Sequence, residues 1–508
     1  MAEMMKSSGC TCVVIALAMT FEVGCYSWKV VPVTHSSARL SAAQGGSQML
    51  RFTQASGEQV VMSVRRLEFP HVWGVTEGGD ERKIDINQVL KVETSEVRAG
   101  QTAGVVLAAA AGAAAVIAIV ALSVSMSNNA SRQPKPKSSQ SCPFVYVDRG
   151  QGLELAGEAY PGAVFRALQR EDLLPLPDSG EARELHVRMA NEQPETDWTD
   201  LVQLVFVDHD RGTRVVTRGA SGPPMLVGAA AGPLWARDLT GRDVTALVRL
   251  DDAEAWQSDL RLEHGRVSPA LREGVVAGFA RPAAGPPVLE LTLANSYWLD
   301  FVVSRFFALL GDRYGSYARS IDRRSTLRWR AREGVDLAVE VRAGGGWRHV
   351  ATLPTVGPMA FRRLAVVLDG AGEGPIQVRV SGGLGFWRVD RMALAPRVNG
   401  APDVSILSPA VAVDHMRRSQ LPAISEIDGR YHVLARPHEH LDLRFRLPPR
   451  RAGQARAVFL RTSGYYVPHP PRRSRASLGT ARTIIHREGS LARFGLDLFG
   501  AYERLLRQ

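Results

Sequence analysis

Only four cysteines occur in the 508 residues, and no lysine follows Lys137. Cys10 and Cys12 lie in the first apolar run, Cys25 comes shortly after it, and Cys142 stands alone. This arrangement builds no disulfide framework, and no Cys-x-x-Cys pair has the spacing of a zinc site. Also missing are a Walker loop, a dinucleotide-binding glycine fingerprint, His-Glu-x-x-His and Gly-x-Ser-x-Gly. Those absences exclude the P-loop nucleotidases, the dinucleotide-dependent oxidoreductases, the helix-borne zinc proteases and the nucleophile-elbow hydrolases. Nothing in the sequence calls for a cofactor. The missing lysine, beside abundant arginine, alanine and glycine, reads as the composition of a GC-rich genome and carries no functional message.

Charge is concentrated at one end. Between Arg444 and Gln508, fourteen arginines face only Glu488, Asp497 and Glu503, so the whole +11 of the chain resides there. The segment His469-Pro470-Pro471-Arg472-Arg473-Ser474-Arg475 reads as disordered. From Ser490 to Gln508, helical spacing puts Leu491, Phe494, Leu498, Tyr502 and Leu505 on one face. Arg472, Arg473 and Arg475 with this basic amphipathic helix are assigned as a contact to anionic lipid. The competing reading is a terminal helix docked on its own domain. Nucleic acid is disfavoured, because no binding fold or stacking motif accompanies the arginines.

The longest apolar run, Ala103 to Met126, has 24 residues and no charge. At ~1.5 Å per residue a helix of that length covers a ~30 Å bilayer core, so it is expected to cross the membrane. The competing reading is a buried, alanine-rich helix. Gly104, Ala108 and Gly112 have the small-xxx-small spacing of a helix-packing face, for self-association or a partner helix. Arg132, Lys135 and Lys137 outnumber Lys91 and Arg98 across the run, which leans toward a cytoplasmic C-terminal region. Nearer the start, Lys6 and the short apolar stretch Cys10 to Met19 form an export signal. The following Gly24-Cys25 resembles the lipobox of bacterial lipoproteins, which implies lipidation at Cys25. Glu22 departs from that pattern, which has an apolar residue there.

The expected fold class is mainly β with one transmembrane α-helix. Gln59 to Leu67, Lys83 to Glu93, and short runs between Leu337 and Leu394 alternate apolar and polar residues, as half-buried strands do. The expected organisation is a signal peptide over 1–24, a small β domain of four or five strands over 25–100, a membrane helix over 101–127 and a linker over 128–141. A β-rich domain (142–285), a jelly-roll-like β-sandwich (286–400), a β module (401–470) and a basic tail with an amphipathic helix (471–508) follow.

Ser141-Cys142-Pro143-Phe144, Glu158-Ala159-Tyr160, Gly162-Ala163 and Arg170-Glu171-Asp172 carry a family resemblance, extended by Asn191-Glu192, Thr199-Asp200-Leu201 and Val207-Asp208-His209. The chain resembles large bacterial envelope proteins found among myxobacteria and Bacteroidota. That likeness implies an envelope location and brings no activity with it. Phe386-Trp387-Arg388-Val389-Asp390 is similar to the last strands of galactose-binding-like jelly rolls, but no loop residue matches their sugar site.

Two histidine clusters invite chemistry. Asp208-His209-Asp210 has the composition of a catalytic dyad, yet its side chains alternate in direction on a strand. His438-Glu439-His440 has a His-x-His spacing that puts both rings on one strand face, but lacks a third metal ligand nearby. The favoured function is therefore a membrane-anchored cell-envelope protein of binding or scaffolding type rather than an enzyme, with the lipid bilayer as its partner. The rivals are an envelope hydrolase built on these His and Asp residues and a carbohydrate-binding adhesin.

Overall fold

The computed structural model describes residues 26–31, 49–54, 58–68, 71–76, 78–85 and 89–97, and those from 143 to 507 except 149, 151, 179, 181, 261–270, 373 and 471–475. Two compact units are distinguished. The first contains β1 (Tyr26–Val31), β2 (Met49–Gln54), β3 (Gln59–Glu68), β4 (His71–Thr76), β5 (Glu81–Asp85) and β6 (Val89–Val97). They form one antiparallel sheet in the order β1-β6-β2-β3-β4-β5, with six strands rather than four or five. Alternation on β3 puts Val60, Met62 and Val64 inside together with Phe52 and Ile84.

The second unit opens with β7 (Phe144–Asp148), β8 (Leu153–Glu158), β9 (Arg170–Leu176), β10 (Glu184–Ala190) and the long β11 (Glu195–Asp210). A hairpin, β12 (Arg214–Thr217) and β13 (Pro224–Val227), comes next. Then follow β14 (Trp235–Asp238), β15 (Arg272–Phe279) and β16 (Pro287–Asn295), and helices α1 (Tyr297–Leu309), α2 (Tyr314–Ser320) and α3 (Arg323–Glu333). The chain continues through β17 (Leu337–Ala343), β18 (Gly346–Leu353), β19 (Arg362–Val367), β20 (Ile376–Gly383) and β21 (Trp387–Pro396). It ends with β22 (Val404–Leu407), β23 (Val411–Asp414), α4 (Leu421–Ile424), β24 (His432–Leu434), β25 (His440–Arg446), β26 (Gln454–Pro468), α5 (Leu478–His486) and α6 (Ser490–Arg507).

The sheets do not follow the chain. One sheet runs β23-β25-β10-β7-β8 and another β22-β11-β26-β9, so strands before residue 211 pair with strands after residue 403. β11 and β26 lie antiparallel from Glu195 against Pro468 to Asp210 against Gln454. These two sheets close over a shared core, to which β25 gives Leu441, Leu443 and Phe445 from every second position. Strands of 144–210 and 404–468, expected in separate modules, thus share one outer sandwich, whereas β14 and β15, expected with the first of them, do not belong to it.

Inserted between its halves is an inner sandwich, β14-β15-β20-β17-β18 facing β19-β16-β21. All nine residues of β16 are buried. Leu289, Leu291 and Leu293 enter the inner core, and Val288 packs under the β12–β13 hairpin. Glu290, on that second face, is held by both ends of the Arg214 guanidinium at 2.6 and 2.7 Å. The helices sit beside the inner sandwich. Ser296 caps α1 by accepting from the Leu299 N–H, Asp322 caps α3, and Gly334 ends α3 at a φ of 71°.

The mainly β, sandwich-containing character is present, but the expected membrane-spanning helix is not among the elements. No helix among the described residues is long and apolar enough to cross a membrane. The longest, α6, has 18 residues and carries Arg493 and Asp497 within it. The run Ala103 to Met126, with Gly104, Ala108 and Gly112, lies outside the described residues.

What ties the sandwiches together is ionic. Arg362 at the start of β19 donates to both oxygens of Asp172 on β9, each at 2.9 Å, and to the Leu173 carbonyl at 2.7 Å. Both side chains are almost wholly buried, at 2% and 0% exposure. Burying two charges is offset only by such bidentate geometry, so losing one partner strands the other. Arg362→Met should lower stability by ~3–5 kcal/mol, measured by urea unfolding, and adding Asp172→Leu should recover most of it. A single substitution costing under ~1 kcal/mol, the range of an exposed pair, would show that this contact does not hold the sandwiches.

Candidate functional site

Where the sandwiches meet, a cavity of about 90 Å³ opens to solvent. Its outer-sandwich wall is the segment after β8, from Glu158 to Leu168. Two residues there sit at positive φ, Tyr160 at 38° and Phe165 at 69°. With ψ at 152°, Phe165 occupies a region that only glycine visits freely, at a cost of ~1–3 kcal/mol. The strain aims its ring at the helices, 5.6 Å from Phe307 and 5.8 Å from Tyr314. Phe306 and Trp329, stacked at 5.9 Å, continue the aromatic wall.

Two glycines let the walls close. A Cβ on Gly162 would lie 1.9 Å from Thr355 Oγ1, and one on Gly357 would lie 1.7 Å from Glu158 Oε2. Both also have positive φ, 77° and 88°, so no other residue fits without displacing the network behind it.

The polar floor contains Glu158, Asn295, Asp300, Arg330 and Thr355. Asn295 closes β16, and its Oδ1 accepts from the Val356 and Gly357 N–H groups at 2.8 and 3.1 Å. Those bonds fix which end of the amide is oxygen. Its buried Nδ2 then has no hydrogen-bond partner among the described residues, and neither does the buried Oδ2 of Asp300. Arg330 is already engaged. It donates to Asp336 at 2.6 and 3.1 Å, to the Gly162 carbonyl at 2.6 Å and to Thr355 Oγ1 at 2.9 Å.

Two carboxyls, Glu158 and Asp300, line the floor. Burial, and then the neighbouring Glu158 charge, hold the Asp300 carboxyl well above the usual carboxylate range. Asp300 lies in the first turn of α1, where the helix dipole favours the anion, so desolvation outweighs the dipole here. Glu158 Oε2 accepts from the Met359 N–H at 3.1 Å. Nearby on β11, the carboxyls of Glu195 and Asp197 are buried, and none of their oxygens has a hydrogen-bond partner among the described residues. Burial raises both well above their ordinary values, and Asp197, Asp300 and Glu158 raise Glu195 further.

The residues singled out by sequence do not meet at this cavity. His209 is at the end of β11, its Nδ1 3.0 Å from the Asp210 carbonyl and 3.3 Å from Thr213 Oγ1. Its neighbour Asp208 is engaged by Arg456 at 2.6 and 2.7 Å, an ordinary strand-end ion pair. His438, at a φ of 76°, is largely exposed and 4.0 Å from Glu192. His440 lies 3.7 Å from Asp442. Among the described residues, no group of three or more His, Cys, Asp or Glu side chains is placed to hold a metal ion.

Leu491, Ala492 and Leu496 of α6 are buried against the second unit, and the Leu491 N–H donates to Glu333 at 2.9 Å. The start of the apolar face of that helix is thus docked on its own domain. Cys25, Arg472, Arg473 and Arg475 lie outside the described residues.

Asn295 and Asp300 went unremarked in the sequence. The signal was there: a mostly apolar nine-residue strand that ends at Asn295, with an acid five residues later inside an aromatic helix. No protein-family model, curated protein or solved structure matches the chain.

The buried acids set a pH dependence. A carboxyl whose folded pKa is raised stabilises fully below its unfolded value, near ~4, and loses that stability as pH rises through the folded value. Glu195→Gln combined with Asp197→Asn should therefore be more stable than the natural protein at pH 8. That advantage should shrink toward pH 4. Thermal melts across this range check it, and a pH-independent difference would contradict it.

Proposed function

We propose that the chain is a cell-envelope protein that acts by binding rather than by catalysis, with the junction cavity as its binding site. One observation carries the reading. An amide donor and a carboxyl acceptor, Asn295 Nδ2 and Asp300 Oδ2, stand without hydrogen-bond partners among the described residues, at the floor of an aromatic-lined cavity. Buried polar groups left unpaired cost ~1–3 kcal/mol each, and a ligand that satisfies them recovers that cost. Such a site, mostly apolar with a few convergent polar groups, is the usual form of a small-molecule pocket. The His209 and His438–His440 clusters are remote from this cavity and engaged locally, which supports binding over hydrolysis.

The envelope location rests on the export-like start, Lys6 and Cys10 to Met19, and on the resemblance to envelope proteins. The finer proposal is that Cys25 carries a lipid. Feeding cells a labelled fatty acid should mark the protein, and Cys25→Ser should abolish the label; an unlabelled natural protein would remove the lipid from this reading.

The binding reading has its own test. Protein isolated gently from its native cells should release a small molecule on denaturation, detected by native and then denaturing mass spectrometry. Val303→Trp, which puts an indole into the cavity from α1, should be isolated without it. A released compound unaffected by that substitution would place binding elsewhere.

A further inference from the structure

The polar inventory of the cavity floor narrows the ligand, granted the binding reading above. Asn295 is 1% exposed, and two backbone N–H groups hold its Oδ1, so its Nδ2 is left as a donor of fixed direction. The buried Oδ2 of Asp300 has no hydrogen-bond partner among the described residues. A carboxyl keeps acceptor capacity whether or not it carries a proton, so Asp300 can accept in either state. The other polar side chains of the floor are engaged. Glu158 accepts from the Met359 N–H. Arg330 donates to Asp336, to the Gly162 carbonyl and to Thr355, and Thr355 Oγ1 donates to the Pro161 carbonyl at 3.2 Å. What remains is one side-chain donor and one side-chain acceptor.

Each simple class of ligand meets that pair differently. A hydrocarbon would leave both atoms unsatisfied, at ~1–3 kcal/mol each. A carboxylate or phosphate would bring a charge into the cavity, and Arg330, the one cation lining it among the described residues, is already committed. An ammonium carries three N–H donors and would find a single unpartnered side-chain acceptor on the floor. A ketone or an ether accepts from Asn295 and gives nothing to Asp300. A neutral carboxamide supplies both halves, a carbonyl oxygen for the Asn295 donor and an N–H for the Asp300 acceptor. The rest of such a molecule would lie against Phe165, Phe306, Phe307 and Trp329. The space of about 90 Å³ suits a compact body of a few carbons. At the mouth, Tyr317, Ile321 and Thr326 are half-buried, so a small molecule has a way in.

We infer that the cavity binds a small neutral carboxamide: its carbonyl oxygen on Asn295 Nδ2, its N–H on Asp300 Oδ2, and a short aliphatic body against the Phe165–Trp329 wall. Affinity comes from pairing two buried atoms that the protein leaves unpaired, and specificity from the need for a donor and an acceptor on the same group.

Four probes sharing one isopropyl body separate the possibilities: isobutyramide (donor and acceptor), isopropyl methyl ketone (acceptor alone), isopropyl methyl carbinol (both on one atom) and isobutyrate (anion). Binding to the full chain is followed by titration calorimetry. The amide should bind at least about tenfold more tightly than the ketone, which has the same shape, a difference of about 1.4 kcal/mol. The carbinol should fall between them, and isobutyrate should bind more weakly than any. Asp300→Leu should erase the advantage of the amide and keep ketone binding. Asn295→Asp keeps the acceptor for the two backbone bonds and replaces the donor, so it should weaken amide and ketone alike; it serves as the test if Asp300→Leu does not fold. Val303→Trp should weaken all four. If the ketone, the carbinol or isobutyrate binds as tightly as the amide, the carboxamide class is wrong while the cavity remains a binding site. If none of the four binds, the binding reading of the cavity falls with it. Amide binding that survives Val303→Trp or Asn295→Asp, or an advantage that survives Asp300→Leu, overturns the assignment to this floor.

Discussion

The buried pair between Arg362 and Asp172 is the constraint on which the second unit turns. Asp172 also accepts from the Tyr160 N–H at 3.2 Å and from Arg170 at 3.3 Å. Arg170 in turn donates to the Thr355 carbonyl at 3.1 Å, and Thr355 Oγ1 accepts from Arg330. The two sandwiches are therefore joined by one continuous polar network as well as by the packing of Phe165 on the inner core. Such a network specifies a single arrangement, because almost any slip leaves a buried charge without its partner. Burial depresses the Arg170 guanidinium below its ordinary value despite Asp172, which shows how dry the junction is.

That dryness explains the strain beside it. The Tyr160 N–H must reach Asp172 while its hydroxyl shares a 2.9 Å bond with Thr199 Oγ1. A backbone satisfying both ends takes a φ of 38°. Phe165 is held the same way, with its N–H on the Tyr466 carbonyl at 2.8 Å while its ring faces α1. Strained residues persist only where their surroundings over-determine them, and here the surroundings are two sandwiches at once. The cavity is a consequence: walls fixed by the network cannot collapse inward to fill the space between Glu158 and Trp329.

Sequence patterning revealed strands well and their partners poorly. The alternation of β25, HLDLRFR, shows which residues face inward, because a leucine or phenylalanine recurs at every second position. The union of the two halves of the outer sandwich was hidden, since β11 and β26 pair across some 250 residues and no local signal reports such a contact. Alternation also misleads where the inward face is polar. On β11 the pattern ETDWT suggests that Trp198 points inside; instead Glu195, Asp197 and Thr199 are buried, and Trp198 stacks on Tyr465 at 4.9 Å. Reading acids as solvent-facing is sound on average and fails on this strand. The floor of the cavity was obscured for the same reason, whereas the Glu158-Ala159-Tyr160 and Gly162-Ala163 motifs fall directly on its wall.

The acids carry the last step. Glu195, Asp197 and Asp300 are raised by burial, so each lowers stability as the pH climbs. A core selected for stability alone would hold leucine or glutamine at those positions, because like charges and unpaired carboxyls are among the costliest contents of a protein interior. The network at the junction offsets that cost with its own buried pairs. Rigid walls and strained backbone are thus aspects of one arrangement: a cavity held open by an ion pair at its back, with Asn295 Nδ2 and Asp300 Oδ2 at its floor lacking hydrogen-bond partners among the described residues.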